Sequence, residues 1–252
     1  MLPEERRQQI VQLINGHGSV YVPEMSKMFK VTEETIRRDL EKLEYENLLK
    51  RTYGGAVAIQ PDDELSFNIR KQQSTAEKNR IAAKGASLVR PGDTVFLDAS
   101  TTCMSLARSL INSRDITVIT NSARVVFDLA KNQNITVIST GGLLRSHSLS
   151  FVGPVTLSTI NKYYADRAFV SCKGISLDFG ATDSNEWEIE VKRAMIQRAR
   201  QCVILADHTK FDHVGLATFA AMDDISTIIT NTELDEATQK QYTERGSEVL
   251  LA

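Results

Sequence analysis

The stretch Val31–Leu43, read VTEETIRRDLEKL, decides the fold of the N-terminal part of the chain. Its apolar residues Ile36, Leu40 and Leu43 recur at spacings of four and three, which places them on one face of a helix. Thr32 stands directly before the periodic run and suits an N-cap, because its hydroxyl can accept a hydrogen bond from an early backbone N–H. The pattern therefore predicts a helix with one buried face.

The opposite face of this helix carries polar and cationic side chains near its N-terminus. Such groups at that end are what a helix needs to read base edges in the major groove of DNA. A charged face that merely keeps a helix soluble is the commoner explanation, so the neighbouring segments must decide. The side chains that we predict to contact DNA are Thr32, Glu34, Thr35, Arg37, Arg38 and Lys42 on the helix, with Lys50 and Arg51 beyond it.

The neighbouring segments complete a winged helix-turn-helix. A helix is predicted over Glu4–Asn15, ended by Gly16 and Gly18, and a second short helix follows before the tight turn. After the periodic helix, Asn47 suits a left-handed position, and the glycine pair at 54–55 joins two short strands into a wing. A helix, a tight turn and a second helix form the helix-turn-helix arrangement. A protein-binding winged helix remains an alternative.

The composition restricts the class of protein. At 252 residues the chain is long enough for a small domain and a larger one. A hydrophobic share of 42% and a charged share of 25% are ordinary for a soluble globular protein. The formal net charge of −2 excludes a generally basic surface, so any DNA contact must come from a local patch.

Targeting and metal-binding signals are weak in this sequence. The three cysteines have neither metal-ligand nor redox-motif spacing, and the histidines form no zinc pattern with them. The N-terminus is amphipathic and contains acidic residues, unlike a signal peptide, and no apolar run approaches membrane-spanning length. We therefore expect a cytoplasmic protein with no metal, no cofactor and no membrane partner.

The C-terminal part alternates β-branched runs with helical segments, which predicts a largely parallel sheet between helices. The expected organisation is a winged helix-turn-helix at 1–58, a polar linker at 59–74 and an α/β domain at 75–252. The predicted strands are 94–98, 117–120, 136–140, 167–171, 202–207 and 226–230. The predicted helices are Thr75–Val89, Cys103–Asn112, Ala123–Lys131, Val155–Lys162, Glu186–Arg200 and Leu234–Glu244.

Small polar residues, glycines and charges follow several of these strands. In open α/β sheets, ligands bind outside the carboxyl ends of the strands, and backbone N–H groups at helix starts suit a phosphate. Each cluster of small polar residues and glycines, taken alone, is typical of an ordinary turn. Several such clusters at one edge of a sheet predict a phosphorylated ligand. The predicted contacts at strand ends are Asp98, Ser100, Thr101, Thr102, Asn121, Gly141, Gly142, Arg145, Lys173, Asp207 and Lys210.

The helix and the wing together form one motif, in which Thr32, Thr35-Ile36-Arg37-Arg38-Asp39-Leu40 and Leu43 are followed by Leu49, Arg51 and Gly54-Gly55-Ala56. This motif resembles the N-terminal domain of the DeoR family of bacterial transcriptional regulators. The family usually has Gly where this chain has Asn47, and often His where it has Tyr53.

The C-terminal half is similar to the effector domain of the same family, whose fold resembles ribose-phosphate isomerase and glucosamine-phosphate deaminase. The resemblance adds two expected effector contacts, Ser148 in a Ser-Leu-x-x-Val-Gly-Pro turn and Asp183 in the segment after the fourth strand. The other matching residues are Asp98, Ser100, Thr101, Thr102, Gly141, Gly142, Arg145, Asp207, Lys210 and Phe211.

One position departs from the family pattern. Many members read Gly-Ala-Asp-Gly, with an acid that corresponds to a catalytic carboxylate of the isomerases, where this chain reads Ser171-Cys172-Lys173-Gly174. A lysine cannot act as that carboxylate base at its ordinary pKa, so the substitution weakens an enzymatic interpretation.

The resemblance implies a DNA-binding regulator, expected to repress a carbohydrate-metabolism operon, whose operator affinity depends on a phosphorylated sugar. The alternative is a phosphosugar isomerase or deaminase that carries a winged-helix domain. The expected partners are double-stranded operator DNA, a small phosphorylated sugar and further copies of the chain, because one neutral winged helix reads too few base pairs. We predict no catalytic residue.

Overall fold

The computed structural model of the protein describes residues 2–45, 48–58 and 67–252. The chain divides into two compact units, Met1–Gln72 and Gln73–Ala252, which we call the N-terminal and C-terminal units. The division falls inside the predicted linker at 59–74. Residues 59–66 of that linker, and the predicted left-handed position at Asn47, lie outside the described residues.

The N-terminal unit is a winged helix-turn-helix, as predicted. Its three strands form one antiparallel sheet in the order β1-β3-β2. A further short helix lies within the segment that we predicted to be a linker. The elements are α1 (Pro3–His17), β1 (Ser19–Tyr21), α2 (Val22–Phe29), α3 (Glu33–Tyr45), β2 (Lys50–Thr52), β3 (Gly55–Val57) and α4 (Phe67–Gln72).

Helix α3 forms for the reasons that the sequence indicated. Ile36, Leu40 and Leu43 are 0–2% exposed and belong to the core of the unit. Thr32 caps the helix, because its Oγ1 accepts a hydrogen bond from the backbone N–H of Thr35 at 3.2 Å. The predicted buried face and the predicted cap are both confirmed.

The glycines of the N-terminal unit differ in their roles. Gly16 lies inside α1, so the prediction that it ends this helix is wrong; the left-handed Gly18, at φ +78°, is the C-cap. Gly54, at φ +92°, makes the wing turn. A Cβ on Gly55 would lie 2.1 Å from the backbone oxygen of Val20, so β3 approaches β1 too closely for any side chain there.

The C-terminal unit alternates strands and helices around one large sheet. Its elements are α5 (Thr75–Ala86), β4 (Thr94–Leu97), α6 (Thr101–Ser109), β5 (Ile116–Thr120), α7 (Ala123–Leu129), β6 (Ile135–Ser139), β7 (Leu143–Arg145), β8 (Ser150–Val152), α8 (Pro154–Ile160), β9 (Ala165–Ser171), β10 (Gly174–Ser176), β11 (Gly180–Asp183), α9 (Glu186–Gln197), β12 (Ala199–Leu205), β13 (Ala217–Ala220), β14 (Thr227–Thr230), α10 (Glu236–Glu244) and β15 (Glu248–Leu251).

The large sheet has seven strands in the order β15-β14-β12-β9-β4-β5-β6, and every neighbouring pair is parallel. The chain runs outward from β4 through β5 to β6 and then returns to β9 on the other side of β4. The strand order therefore reverses between β4 and β9, and a crevice opens outside the carboxyl ends of strands at such a point. The predicted α/β architecture is confirmed, and the general rule for open α/β sheets makes this edge the place where a ligand is expected.

The central strands are apolar on both faces because helices cover both sides of a parallel sheet. Phe96, Leu97, Val170 and Ile204 are each fully buried. The β-branched and aromatic runs that we used to predict strands correspond to this core. Their burial leaves the loops after each strand as the place where polar chemistry can occur.

Several strands were not predicted. The hairpin β7–β8, the small antiparallel sheet β10-β11-β13 and the edge strand β15 are three or four residues long. A run of three or four residues is too short to show a clear period of two, so only the pairing partners identify these strands. The predicted helix Glu186–Arg200 is also too long, because α9 ends at Gln197 and Ala199 already pairs with Ala165 in the large sheet.

Candidate functional site

The predicted DNA-contacting side chains lie on the surface of the N-terminal unit. The side chains of Arg37 and Arg38 are 52% and 77% exposed, and each pairs with a glutamate one turn earlier, at 2.7 Å to Glu33 and 3.3 Å to Glu34. Such exposed pairs contribute only about 0.3–0.5 kcal/mol each. Both guanidinium groups can therefore exchange a glutamate for DNA at little cost.

The remaining predicted DNA contacts surround these two arginines. Thr35 is partly buried, and its hydroxyl lies 2.9 Å from that of Thr32. Arg51, on the wing strand β2, donates its backbone N–H to Glu44 at 2.8 Å. The other predicted contacts, all exposed, are Thr32, Glu34, Lys42 and Lys50.

In the C-terminal unit, Asp98 ties together the ends of the two strands at the switch point. Its carboxylate is 1% exposed and follows β4. One oxygen accepts the backbone N–H of Ser100 at 2.9 Å, and the other accepts that of Ser171, at the end of β9, at 3.0 Å. Asp98 thus fixes two predicted effector loops relative to each other.

Lys192, on α9, is the centre of the largest buried charge cluster at this edge. Its side chain is 7% exposed, and its Nζ lies 3.3 Å from Oδ2 of Asp98 and 2.6 Å from the carbonyl oxygen of Ser171. The same Nζ forms a very short ion pair with Asp183 at the end of β11. One ammonium group therefore joins the ends of β4, β9 and β11.

The charge state of Lys192 follows from these partners. Burial alone lowers the pKa of a lysine, because it disfavours the charged form. The neighbouring carboxylates of Asp183 and Asp98 outweigh that effect and hold the pKa of Lys192 above its ordinary value. The cluster thus contains a permanent cation between two aspartates at neutral pH.

A second polar cluster forms one turn earlier on the same helix. Glu188 Oε1 accepts hydrogen bonds from Arg145 Nη1 at 2.8 Å, from Ser148 Oγ at 2.9 Å and from the hydroxyl of Ser150. The Arg145 and Glu188 side chains are 16% and 10% exposed. Two predicted contacts, Arg145 and Ser148, are thus brought together, and this carboxylate holds the hairpin β7–β8 against α9.

The loop after β4 continues into the start of α6. Ser100 caps this helix, because its Oγ accepts the backbone N–H of Cys103 at 3.1 Å. Thr101 and Thr102 occupy its first turn and are each 4% exposed. The first N–H groups of a helix have no intrahelical acceptor and carry the positive end of the helix dipole. This is the feature of the edge that best suits a phosphate.

The glycines after β6 have a packing role. Gly142 adopts φ +116°, and a Cβ there would lie 2.7 Å from the carbonyl oxygen of Val152. Thr156 Oγ1 donates a hydrogen bond to the carbonyl oxygen of Gly141 at 2.5 Å. The close approach of β8 and α8 explains this glycine pair, and the predicted phosphate contact of the pair stays a prediction.

Asn121 follows β5 and is fully buried. Its Nδ2 donates to the carbonyl oxygen of Phe151 at 3.1 Å. Its Oδ1 is one of two buried side-chain polar atoms, within the described residues, that have no hydrogen-bond partner, the other being Thr230 Oγ1. An unsatisfied buried acceptor costs about 1–3 kcal/mol, so a donor at this position would stabilise the unit.

The last group of predicted contacts lies after β9 and β12. Asp207 is 5% exposed and accepts the backbone N–H of Thr209 at 3.1 Å, which orders the short turn that carries Lys210. Lys173 donates its backbone N–H to Thr182 at 2.9 Å. Cys172 beside it is buried, and burial raises the pKa of this thiol to about 12, so it stays protonated and unreactive at neutral pH.

Sequence reasoning missed Glu188 and Lys192, the two residues that organise the site. Their spacing of four places them on one face of α9, together with the buried Met195. A glutamate and a lysine on the apolar face of a helix were the available signal. Their partners lie in other loops, and no local pattern identifies those.

The described residues contain neither a metal-ligand cluster nor a membrane-spanning helix. Across residues 2–45, 48–58 and 67–252, no group of three or more His, Cys, Asp or Glu side chains is arranged to hold a metal ion. No helix in the described part of the chain is both long enough and apolar enough to cross a membrane.

Family models match both parts of the chain. The model described as DeoR-like helix-turn-helix domain matches residues 6–62, and the model described as DeoR C terminal sensor domain matches residues 73–232. Together they cover the elements that carry both candidate sites.

Individual proteins resemble the chain over nearly its whole length. The uncharacterized HTH-type transcriptional regulator YulB of Bacillus subtilis strain 168 is 42% identical over 250 residues, 99% of this chain and 96% of the relative. The glycerol-3-phosphate regulon repressor of Escherichia coli K12 is 30% identical and covers 92% of each chain. Among solved structures, ribose 5-phosphate isomerase A from Methanocaldococcus jannaschii has a TM-score of 0.40 and 16% identity over 53% of each chain.

Proposed function

This chain belongs to the DeoR family of transcriptional regulators, and we propose that it is a repressor whose operator affinity is set by a phosphorylated sugar or polyol. The observation that carries the proposal is the division of the chain into a winged helix-turn-helix with exposed arginines and a parallel α/β unit whose strand order reverses between β4 and β9. The name of the Escherichia coli relative, a glycerol-3-phosphate regulon repressor, supports this ligand class.

The DNA contact is proposed for the first half of α3 and for the wing. Arg37 and Arg38 reach base edges in the major groove, and each bidentate contact with a guanine discriminates by about 1–3 kcal/mol. Thr32 and Thr35 contact the neighbouring phosphates through their hydroxyls, and Lys50 on the wing adds a cationic phosphate contact.

The effector is proposed to bind at the carboxyl edge of β4, β5 and β9. Its phosphate lies against the start of α6 at Thr101 and Thr102, with Lys210 as the counter-charge. Arg145 is already paired with Glu188, so it serves this site by holding the β7–β8 hairpin. A ligand hydroxyl would supply the donor that Asn121 Oδ1 lacks.

We propose that the C-terminal unit binds its effector without converting it, and that the protein works as an oligomer. No general base is proposed, because Lys173 stands where the isomerases have an acid and the buried carboxylates Asp98 and Asp183 are committed to Lys192. We propose a cytoplasmic homo-oligomer, because paired winged helices read two half-sites and gain the specificity that one lacks.

Ligand and DNA bind in different units, so the effector acts by favouring one of two states with different affinities for the operator. A coupling free energy of about 1–3 kcal/mol changes operator affinity roughly five- to 150-fold. Operator and effector must then weaken each other's binding by the same factor.

The experiment combines a ligand screen with DNA binding. A panel of sugar and polyol phosphates is tested by thermal shift, where a ligand at about 100 times its Kd adds about 2.7 kcal/mol to stability. Affinity for a duplex that the protein selects from a random-sequence pool is then measured with and without the stabilising compound. We expect the compound to weaken DNA binding at least fivefold.

The variant Lys210→Glu tests the placement of the site. It should keep the affinity for the selected duplex and lose the response to the compound, whereas Lys162→Glu, at an exposed lysine on the same unit, should change neither. A full response in Lys210→Glu would show that the phosphate binds elsewhere. Turnover of any stabilising compound would instead support the enzymatic alternative.

A further inference from the structure

A buried ion pair joins α1 to the recognition helix α3. Arg6 Nε donates to Asp39 Oδ2 at 2.5 Å, and the two side chains are 8% and 6% exposed. Arg7 Nη1 approaches the other carboxylate oxygen of Asp39 at 3.4 Å and also pairs with the exposed Glu4 at 2.5 Å. Asp39 therefore receives two guanidinium groups from one helix.

The position of this pair in the core is unusual. On α1, Arg6 continues the buried stripe of Ile10 and Ile14 at spacings of four. On α3, Asp39 stands beside the buried Leu40 and directly after the exposed Arg38. The ion pair thus occupies an edge of the α1–α3 core, one residue from a predicted base contact.

Stability alone does not explain a charged pair at such a place. Removing two charges from water costs about as much free energy as their attraction returns, so apolar residues of similar size often stabilise a fold equally well. An apolar contact and an ion pair differ in how strictly they orient their partners. Apolar packing has no directional preference, whereas a charge-assisted hydrogen bond has a fixed geometry. The pair therefore resists sliding and rotation of α3 against α1.

We propose that Arg6 and Asp39 are positioning residues for DNA recognition, which fix the rotation of α3 so that Arg37 and Arg38 meet base edges. A bidentate contact requires placement to within about 0.5 Å, which packing achieves together with hydrogen bonds from supporting residues. Phosphate contacts are less demanding, because a cation on a flexible stem follows a phosphate over a wider range. The pair should accordingly control sequence discrimination and leave non-specific affinity unchanged.

The test replaces both charges at once in the full-length protein, as Arg6→Met with Asp39→Leu. The probes are a duplex selected from a random pool by the wild-type protein and a scrambled duplex of the same composition. Arg7 loses its contact with Asp39 in this variant and keeps its pair with Glu4, so the melting temperature serves only to show that the variant folds. We expect at least a tenfold lower ratio of affinities for selected over scrambled DNA. Affinity for the scrambled duplex, and its log–log dependence on salt, should stay as in the wild type.

A matched control applies the same change to Arg167 and Asp93, a partly buried pair at 2.7 Å in the C-terminal unit, which should leave the ratio unchanged. A double variant of Arg6 and Asp39 that keeps its ratio would overturn the proposal, whatever its melting temperature. If that variant does not fold, Arg6→Lys keeps the charge and loses the Nε hydrogen bond. A folded Arg6→Lys protein with wild-type discrimination would equally overturn it.

Discussion

The candidate sites of the two units place their cations in opposite environments. On the recognition helix of the N-terminal unit, Arg37 and Arg38 are 52% and 77% exposed. At the sheet edge of the C-terminal unit, Lys192 and Arg145 are 7% and 16% exposed. An exposed cation exchanges partners freely, whereas a buried cation holds the partners that compensate its desolvation.

This difference in exposure divides the cations of the chain into two groups with different roles. We propose that the exposed arginines contact DNA, whereas the buried cations hold the segments around them through ion pairs. The ion pair of Arg6 and Asp39 shows that the N-terminal unit uses a buried pair as well, close to its exposed contacts. Under our proposals, buried ion pairs in both units position the segments that carry the contacting groups.

The largest effect is expected from removing the buried cation of the C-terminal unit. Lys192→Met leaves Asp98 and Asp183 buried without their cation, which should lower the free energy of unfolding by about 3–5 kcal/mol. The measurement is urea unfolding followed by a probe of the C-terminal unit. Lys162→Met, at an exposed lysine, is the matched control and should change stability by less than about 0.5 kcal/mol.

The pH dependence sharpens this prediction. Because the pKa of Lys192 is raised in the folded state, its contribution is fully present below the ordinary lysine pKa and is lost only as the pH rises through the folded-state value. The difference between wild type and Lys192→Met should therefore stay constant between about pH 7 and pH 9. A difference that shrinks over this range would show that the lysine is not held as a cation.

A smaller effect is expected from the exposed charges of the N-terminal unit. Replacing Arg37 or Arg38 by Ala should weaken binding to the selected duplex by about 1–3 kcal/mol for each lost base contact. The melting temperature should hardly change, because each arginine contributes only an exposed helix pair. Lys240→Ala removes a comparable exposed pair with Glu244 from the other unit and serves as the control. If a folded variant with both Arg37 and Arg38 replaced by Ala bound the selected duplex as tightly as the wild type, these arginines would not belong to the DNA interface.

The smallest expected effect concerns two glycines, one in each unit. Gly16 lies inside α1, and an added Cβ would meet open space, so Gly16→Ala should stabilise the protein by about 0.5–1 kcal/mol. Gly142 combines φ +116° with close backbone contacts, so Gly142→Ala should destabilise the protein. Thermal unfolding of the two variants measures both. If both substitutions stabilised the protein, the loop after β6 would have to adjust to accommodate the added methyl group.

Local patterns were enough to predict the elements that repeat a short period. The stripe of Ile36, Leu40 and Leu43 and the cap at Thr32 define α3 within one segment, and the structure confirms both. The β-branched runs predicted the interior strands of the sheet, because strands buried on both faces must be apolar throughout. The family resemblance in these same segments is confirmed by the two matching family models.

Contacts between distant segments could not be predicted in this way. Glu188 joins residues about 40 positions earlier in the chain, and Arg6 meets Asp39 33 positions later. The strands β7, β8, β10, β11 and β13 are only three or four residues long, so their pairing alone defines them. Gly16 was wrongly predicted to end α1, because the hydrogen bond from the Gly18 N–H to Ile14 fixes the end of the helix two residues later.

The sequence by itself determined the recognition helix, the alternation of strands and helices and the family, because each is written in residues that are neighbours along the chain. Tertiary structure alone decided that the strand order reverses between β4 and β9. It also decided which charges are buried as partners, at Lys192 and Arg6, and which stay exposed, at Arg37 and Arg38. The physical reason is that desolvation and ion pairing depend on distance in space, which a linear pattern does not contain.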